Sequence, residues 1–232
     1  MIRIENISKS FGKQEVLKNI SVKMSSNECI ALIGPNGSGK TTLIKSILGM
    51  VPVVKGRILI DNKSIEGNYH YREMIGYMPQ IGRYPENMNI GQVIRLMKDI
   101  RGNHTSIDES LIDGFHLREM FEKKMSTLSG GTRQKVSACI AFLFNPYVLI
   151  LDEPTAGLDP LSSEILKNKI LSEKAKGKLI IITSHVLSEL EDLITRVIYM
   201  QEGNIRIDAS LSDLLQQTGE NKLGKIISKA LN

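Results

Sequence analysis

Tryptophan is absent from this chain, aromatic residues make up only 5% of it, and cysteine occurs twice, at Cys29 and Cys139. The two cysteines are far apart, form no C-x-x-C pair and sit in apolar contexts. That excludes a disulfide framework and a cysteine-based metal ribbon, and it predicts two buried thiols in a reducing compartment. No apolar run approaches the ~20 residues that a membrane-spanning helix needs. The opening Met1-Ile-Arg-Ile-Glu-Asn6 also lacks the long apolar segment of a secretory signal, so a cytoplasmic location is expected and any membrane part must come from another chain. A focused basic patch is missing too: the net charge is +5, but acids interleave with bases, as in Arg118-Glu-Met-Phe-Glu-Lys-Lys124. Such a stretch reads as a solvated surface, and no nucleic-acid partner is expected. Internal repeats and low-complexity tracts are not evident.

What is present is an ordinary globular composition, 41% apolar and 24% charged over 232 residues, enough for one α/β domain with a small subdomain. Cys29 to Ile33, Tyr147 to Leu151 and Leu179 to Thr183 are short apolar runs that hardly alternate, the pattern of parallel strands covered on both faces. A helix is predicted after Asp159 as N-cap and Pro160 at its first position, with Leu161, Ile165, Leu166, Leu171 and Ala175 as its apolar face. Ile2 to Glu5, Ile20 to Met24 and Gly56 to Ile60, punctuated by turn signals such as Asp61-Asn62, predict an antiparallel β layer at the N-terminal end. Helical periodicity takes over in Ile90 to Ile100 and Leu111 to Phe121. The expected organisation is an α/β core with the β layer over residues 1–80 and 136–208, a helical subdomain over about 81–135, and one or two short helices over 209–232.

The segment Gly34-Pro-Asn-Gly-Ser-Gly-Lys-Thr41 fits the pattern G-x-x-x-x-G-K-[ST], and it stands after a predicted strand and before the helical Leu43-Ile-Lys-Ser-Ile-Leu48. Gly34, Gly37 and Gly39 let backbone N–H groups turn inward as an anion nest, to which Pro35, Asn36 and Ser38 contribute backbone. The helix that follows points its positive end at the same place. Lys40 would reach the β- and γ-phosphates of a nucleoside triphosphate and Thr41, followed by Thr42, would hold Mg²⁺. A second element, Tyr147-Val-Leu-Ile-Leu151, ends in Asp152-Glu153, two carboxylates at the carboxyl end of a parallel strand, where open α/β sheets collect ligands. Asp152 suits the Mg²⁺ shell and Glu153 the orientation of an attacking water.

Between these elements stands Leu128-Ser-Gly-Gly-Thr132, and with it the sequence resembles, over essentially its whole length, the nucleotide-binding subunits of ATP-binding cassette (ABC) transporters. Further landmarks follow in the family's order. Phe11 resembles the aromatic that stacks on adenine, and Gln80 in Tyr77-Met-Pro-Gln80 the glutamine that joins the metal shell. Asp159 in Gly157-Leu-Asp-Pro160 resembles the D-loop aspartate, and His185 in Thr183-Ser-His185 the switch histidine. Each also has a plain structural alternative: Phe11 as a turn staple, Gln80 as a solvated loop residue, Asp159 as a helix N-cap, His185 as a polar residue closing a strand.

The resemblance implies a P-loop fold that binds ATP and Mg²⁺, with Ser129, Gly130 and Gly131 forming a second anion site that serves the nucleotide of a partner cassette. Two cassettes, identical or homologous, would then hold two ATP molecules head to tail and drive a separate transmembrane permease at the inner face of the cell membrane. Thr132 stands where the family most often has glutamine, which puts the tuning of dimer closure in question. Ser184-His-Val-Leu-Ser-Glu-Leu-Glu-Asp-Leu193 is similar to cassettes of ABC-2-type exporters, and Ile81-Gly-Arg-Tyr-Pro-Glu-Asn87 to the ATP-binding subunit of copper-processing systems for nitrous oxide reductase. The alternative is a soluble cassette ATPase acting on ribosomes or nucleic acid. Against it, the chain has neither a second cassette nor a long coiled-coil insertion.

Overall fold

The computed structural model describes residues 1–102 and 106–231. In chain order its first half holds β1 (Ile2–Phe11), β2 (Gln14–Met24), β3 (Cys29–Ile33), α1 (Lys40–Ile47), β4 (Lys55–Ile60), β5 (Lys63–Ser64), β6 (Ile75–Met78), α2 (Ile90–Arg101) and α3 (Ser110–Gly114). The second half holds α4 (Gly130–Phe142), β7 (Val148–Asp152), α5 (Pro160–Ala175), β8 (Leu179–Thr183), β9 (Arg196–Gln201), β10 (Asn204–Ser210), α6 (Leu211–Thr218) and α7 (Leu223–Ala230).

The three apolar runs form the centre of a six-stranded sheet of order β10-β9-β3-β8-β7-β6, in which only β10 is antiparallel to its neighbour. Successive residues of a strand point to opposite faces, and here both faces are covered. Ala31, Leu149, Leu151, Ile180 and Ile182 pack on one side with α4 and α5. Ile30, Leu32, Val148, Ile150 and Ile181 pack on the other with α1 and the β layer. That is why none of the runs alternates in sequence. The layer is antiparallel, of order β2-β1-β4-β5. Its Asp61-Asn62 turn has both residues at positive φ, +48° and +62°, as a two-residue hairpin loop requires.

Several expectations need correction. Tyr147 is exposed, and β7 starts at Val148 and runs on into Asp152. Leu111 to Phe121 is not one helix: α3 stops after five residues and His116 adopts a left-handed φ of +53°, which ends it. A short 3-10 turn, Leu117–Met120, follows. The buried face of α5 is Ser162, Leu166, Ile170 and Glu173, whereas Leu161, Leu171 and Ala175 are exposed. Both cysteines are buried free thiols, as expected, and burial pushes the Cys29 thiol up to about 12. The stretch expected to be helical over 81–135 contains, among the described residues, helices, turns and a single bridge between Asn89 and Lys124. Residues 103–105 of it, and Asn232 of the C-terminal stretch, lie outside the described residues. Helix α4 runs unbroken through 135 and 136, so one rod joins the glycines of Ser129-Gly-Gly to the face of the sheet.

Candidate functional site

The phosphate loop is shaped by what lies beneath it. Gly34 follows β3 with φ +146°, and a Cβ there would stand 2.0 Å from the Met200 carbonyl oxygen of β9. Gly39, at φ +107°, is the N-cap of α1, and its Cβ would come within 2.9 Å of the Val16 carbonyl. Only glycine fits at either place. The β9–β10 turn holds the loop from the other side, with the Gly203 N–H donating to the Ser38 carbonyl at 3.1 Å. Lys40 Nζ folds back to donate to the carbonyls of Gly34 at 2.7 Å and Pro35 at 3.1 Å. Burial lowers its pKa, against the pull of Asp152 and Glu153. Ser38 Oγ is buried in the loop without a hydrogen-bond partner.

Asp152 and Glu153 arrive at the same cleft because β7 pairs in register with β8, setting Asp152 against Thr183. The buried Thr183 is the hub. Its Oγ1 donates to Asp152 Oδ1 at 2.5 Å and accepts from the Glu153 N–H at 3.0 Å, while its carbonyl accepts from the same N–H at 3.1 Å. Glu153 has a left-handed φ of +50°, a strained conformation for a residue of this kind and one that clusters at functional sites. Its Oε1 lies 2.9 Å from His185 Nε2, and its carbonyl accepts from Gln134 Nε2 of α4 at 3.3 Å. The cleft, about 350 Å³, is lined by Val16, residues 36–42, Gln80, Asp152, Glu153 and His185.

Sequence reasoning missed Thr183 as a functional residue, although it is the one polar side chain of an otherwise wholly apolar strand. Val16 and Gln134 were missed as well, and neither carried a local signal. Tyr77 of β6, the strand paired with β7, is pushed up to about 12 by burial and then by Asp152.

Other predicted residues stand away from this cleft. Ser129 caps α4, accepting from the Thr132 N–H at 3.2 Å and sharing a hydroxyl contact with Thr132 Oγ1 at 2.9 Å. A Cβ on Gly131 would meet the Gly157 carbonyl at 2.6 Å, so the two glycine-bearing segments touch backbone to backbone. Asp159 spends both oxygens locally: Oδ1 accepts from the Ser162 N–H at 2.9 Å, and Oδ2 lies 2.7 Å from Ser162 Oγ and 2.8 Å from Lys135 Nζ. Those contacts, Lys135 first, hold its carboxyl well below the usual range. In the isolated chain Asp159 is thus the N-cap of α5. Phe11 ends β1 with 53% of its surface exposed and Lys9 Nζ 5.1 Å from its ring centre.

The ABC transporter family model matches residues 17–156, a span that contains the phosphate loop, Ser129-Gly-Gly and the Asp152-Glu153 pair. The chain belongs to the ABC transporter family. YdbJ of Bacillus subtilis (strain 168), an uncharacterized ABC transporter ATP-binding protein, is 34% identical over 226 residues, covering 94% of this chain and 72% of its own. The lantibiotic transport ATP-binding protein SrtF of Streptococcus pyogenes is 30% identical over 225 residues, covering 96% and 97%. A solved ATP binding subunit of an ABC transporter superposes with a TM-score of 0.91 at 28% identity over the whole of both chains. A dimeric cassette bound to ADP and Pi shares the fold with a TM-score of 0.81 at 22% identity, over 91% of this chain and 99% of that one. This ABC cassette is an ATP-binding subunit of that family. No helix of its described residues is long and apolar enough to cross a membrane.

Proposed function

We propose that this cassette hydrolyses ATP by in-line attack of water on the γ-phosphate and thereby drives export through a separate membrane subunit. The observation that carries the reading is the meeting, in one cleft, of the phosphate loop with Asp152 and with the 2.9 Å Glu153–His185 pair. Lys40 leaves the loop carbonyls for the β- and γ-phosphates. The N-terminus of α1, from Gly39 at its N-cap through Lys40, Thr41 and Thr42, holds the rest of the chain of phosphates. The buried Ser38 hydroxyl, which lacks a partner, is one group that a nucleotide would satisfy.

Thr41, Gln80 and Asp152 are the oxygen donors suited to Mg²⁺, a hard cation, and Thr183 orients the Asp152 carboxylate for that task. Bound Mg²⁺ supplies neutralisation of charge on the phosphates. Glu153 orients the attacking water and takes its proton, and His185 steadies the γ-phosphate or that water. The rate then comes chiefly from positioning and from charge placed in advance.

Ser129, Gly130 and Gly131 are not among the residues that line this cleft, which suits a site for the nucleotide of a second cassette, with Asp159 contributing to the paired arrangement and Phe11 stacking on adenine. Two such sites per pair give a head-to-tail dimer, twofold symmetric if both copies are this chain. An apolar groove of about 220 Å³ between core and helical subdomain, lined by Leu48, Met50, Met97, Ile140 and Phe144 with Arg72 and Arg101, is assigned to the membrane subunit. The cassette then sits at the inner face of the membrane through that partner. A transport role is in keeping with SrtF, a lantibiotic transport ATP-binding protein, and the direction of export with the Nod factor export ATP-binding protein of Sinorhizobium fredii, which is 31% identical over 207 residues. Purification of this chain from gently solubilised cells should recover a multi-span membrane protein that raises its ATP turnover. Ribosomal proteins or nucleic acid in its place would overturn the transport role and leave the ATP site standing.

A further inference from the structure

His185 sits in a stretch with little support of its own. After β8 ends, Ser184 Oγ accepts from the Val186 N–H at 2.9 Å, and Leu187–Glu189 makes one short 3-10 turn. Such turns have poor internal hydrogen-bond geometry, so the placement of His185 depends on what that turn rests against. Two other parts of the chain meet it. Glu189 accepts a hydrogen bond from Thr155 Oγ1, two residues after Glu153. On the opposite side Glu191 Oε1 accepts from the Leu223 N–H, the first residue of α7, at 2.9 Å.

Helix α7 has no cap of its own, since Lys222 at its N-cap makes no side-chain hydrogen bond. Glu191 supplies that cap from the switch segment, and a carboxylate there also meets the positive end of the helix. Apolar packing runs alongside: Leu187 packs against the cluster that contains Leu190, Leu223 and Ile226, and its Cδ1 lies 3.8 Å from where a Cβ on Gly224 would stand. The hairpin is itself fastened to the core. The Leu211 N–H donates to the Thr195 carbonyl at 2.8 Å, and Lys229 Nζ closes α7 onto the Thr218 carbonyl of α6 at 2.5 Å.

We infer that the α6–α7 hairpin is a strut that positions His185 for hydrolysis, and that Glu191 is the positioning residue that fastens the switch segment to it. This rests on the reading of His185 as a group acting at the γ-phosphate or its water. Glu191 touches neither; it acts through the 3-10 turn.

The test is steady-state ATP turnover by the full chain carrying Glu191→Ala, Glu191→Gln, His185→Ala, or Glu191→Ala together with His185→Ala. Glu191→Ala should lower kcat about tenfold with KM for ATP nearly unchanged, because the phosphate loop is untouched and only transition-state positioning is lost. Glu191→Gln keeps an acceptor for the Leu223 N–H and should restore most of the rate. In the His185→Ala background, Glu191→Ala should cost nothing further, as expected for two residues acting as one unit. Unchanged kcat in Glu191→Ala, or losses that multiply in the double variant, would overturn the strut. A neutral His185→Ala would overturn the reading of His185 beneath it. If Glu191→Ala does not fold, Glu191→Asp, which draws the carboxylate back from the Leu223 N–H while keeping its charge, is read by the same outcomes.

Discussion

Replacing Lys40 by alanine should weaken nucleotide binding far more than it weakens the fold. In the free protein the Lys40 ammonium donates to two neutral carbonyls, those of Gly34 and Pro35, and Pro35 lies open to water that would satisfy its carbonyl in the variant. The fold therefore loses on the order of 1 kcal/mol or less. Binding differs, because phosphate oxygens would make charge-assisted hydrogen bonds to the same ammonium, worth roughly 1.5–3 kcal/mol. That range corresponds to a dissociation constant about 10- to 150-fold higher. The phosphates also favour the charged form of a lysine whose ammonium is disfavoured mainly by burial, so binding should raise its pKa. Equilibrium titration with a fluorescent ATP analogue measures the loss, and thermal unfolding of the same sample measures the fold. An affinity within about twofold of wild type would refute the phosphate-loop assignment.

Two further substitutions test the scaffold. Glu173 is 1% exposed and sits among three lysines, at 2.9 Å from Lys169 and 2.8 Å from Lys176, with Lys178 also in contact. Burial works against its charge, but hydrogen bonds from Lys176, Lys178 and Lys169 outweigh it and hold the carboxyl at about 2 against an ordinary 4.5. A depressed carboxylate stabilises fully above its unfolded value and loses that contribution as pH falls from 4.5 toward 2. Glu173→Gln should therefore cost up to about 3 kcal/mol near neutral pH and flatten the acid limb of stability, as read by urea unfolding across that window. Stability unchanged at neutral pH would contradict this. Gly34→Ala would force a Cβ to 2.0 Å from the Met200 carbonyl, a backbone atom that cannot swing aside. It should destabilise by about 2–4 kcal/mol in urea unfolding and disrupt nucleotide binding with it, whereas an alanine variant of wild-type stability would refute the close approach.

The elements that bind phosphate and end the central strands were legible because their signals are local: a fixed glycine spacing, an apolar run, a pair of acids at its end. Part of what escaped the sequence is local: the α5 face was misread because a charged residue at a helical position reads as solvent-facing, whereas Glu173 is buried among its near neighbours Lys169, Lys176 and Lys178. The rest depends on partners distant in the chain. The break at His116 is a backbone conformation that a polar residue adopts without announcing it. Thr183 looked like the polite end of a strand, yet register places its hydroxyl between Asp152 and the Glu153 N–H. The role of the C-terminal helices was invisible for the same reason: Glu191 and Leu223 are joined by one hydrogen bond across 32 residues. Asp159 shows the reverse, since its N-cap signal was local and is what the isolated chain displays.

The most direct test of the account is sedimentation of the Glu153→Gln variant with ATP and Mg²⁺. A carboxamide keeps the size of the side chain and its place beside His185 but cannot take a proton from water, so ATP should bind and stay. The account predicts a dimer that persists with ATP and dissociates when ATP is removed. A variant that binds ATP but sediments only as a monomer would contradict the head-to-tail sandwich and the role of Glu153 within it.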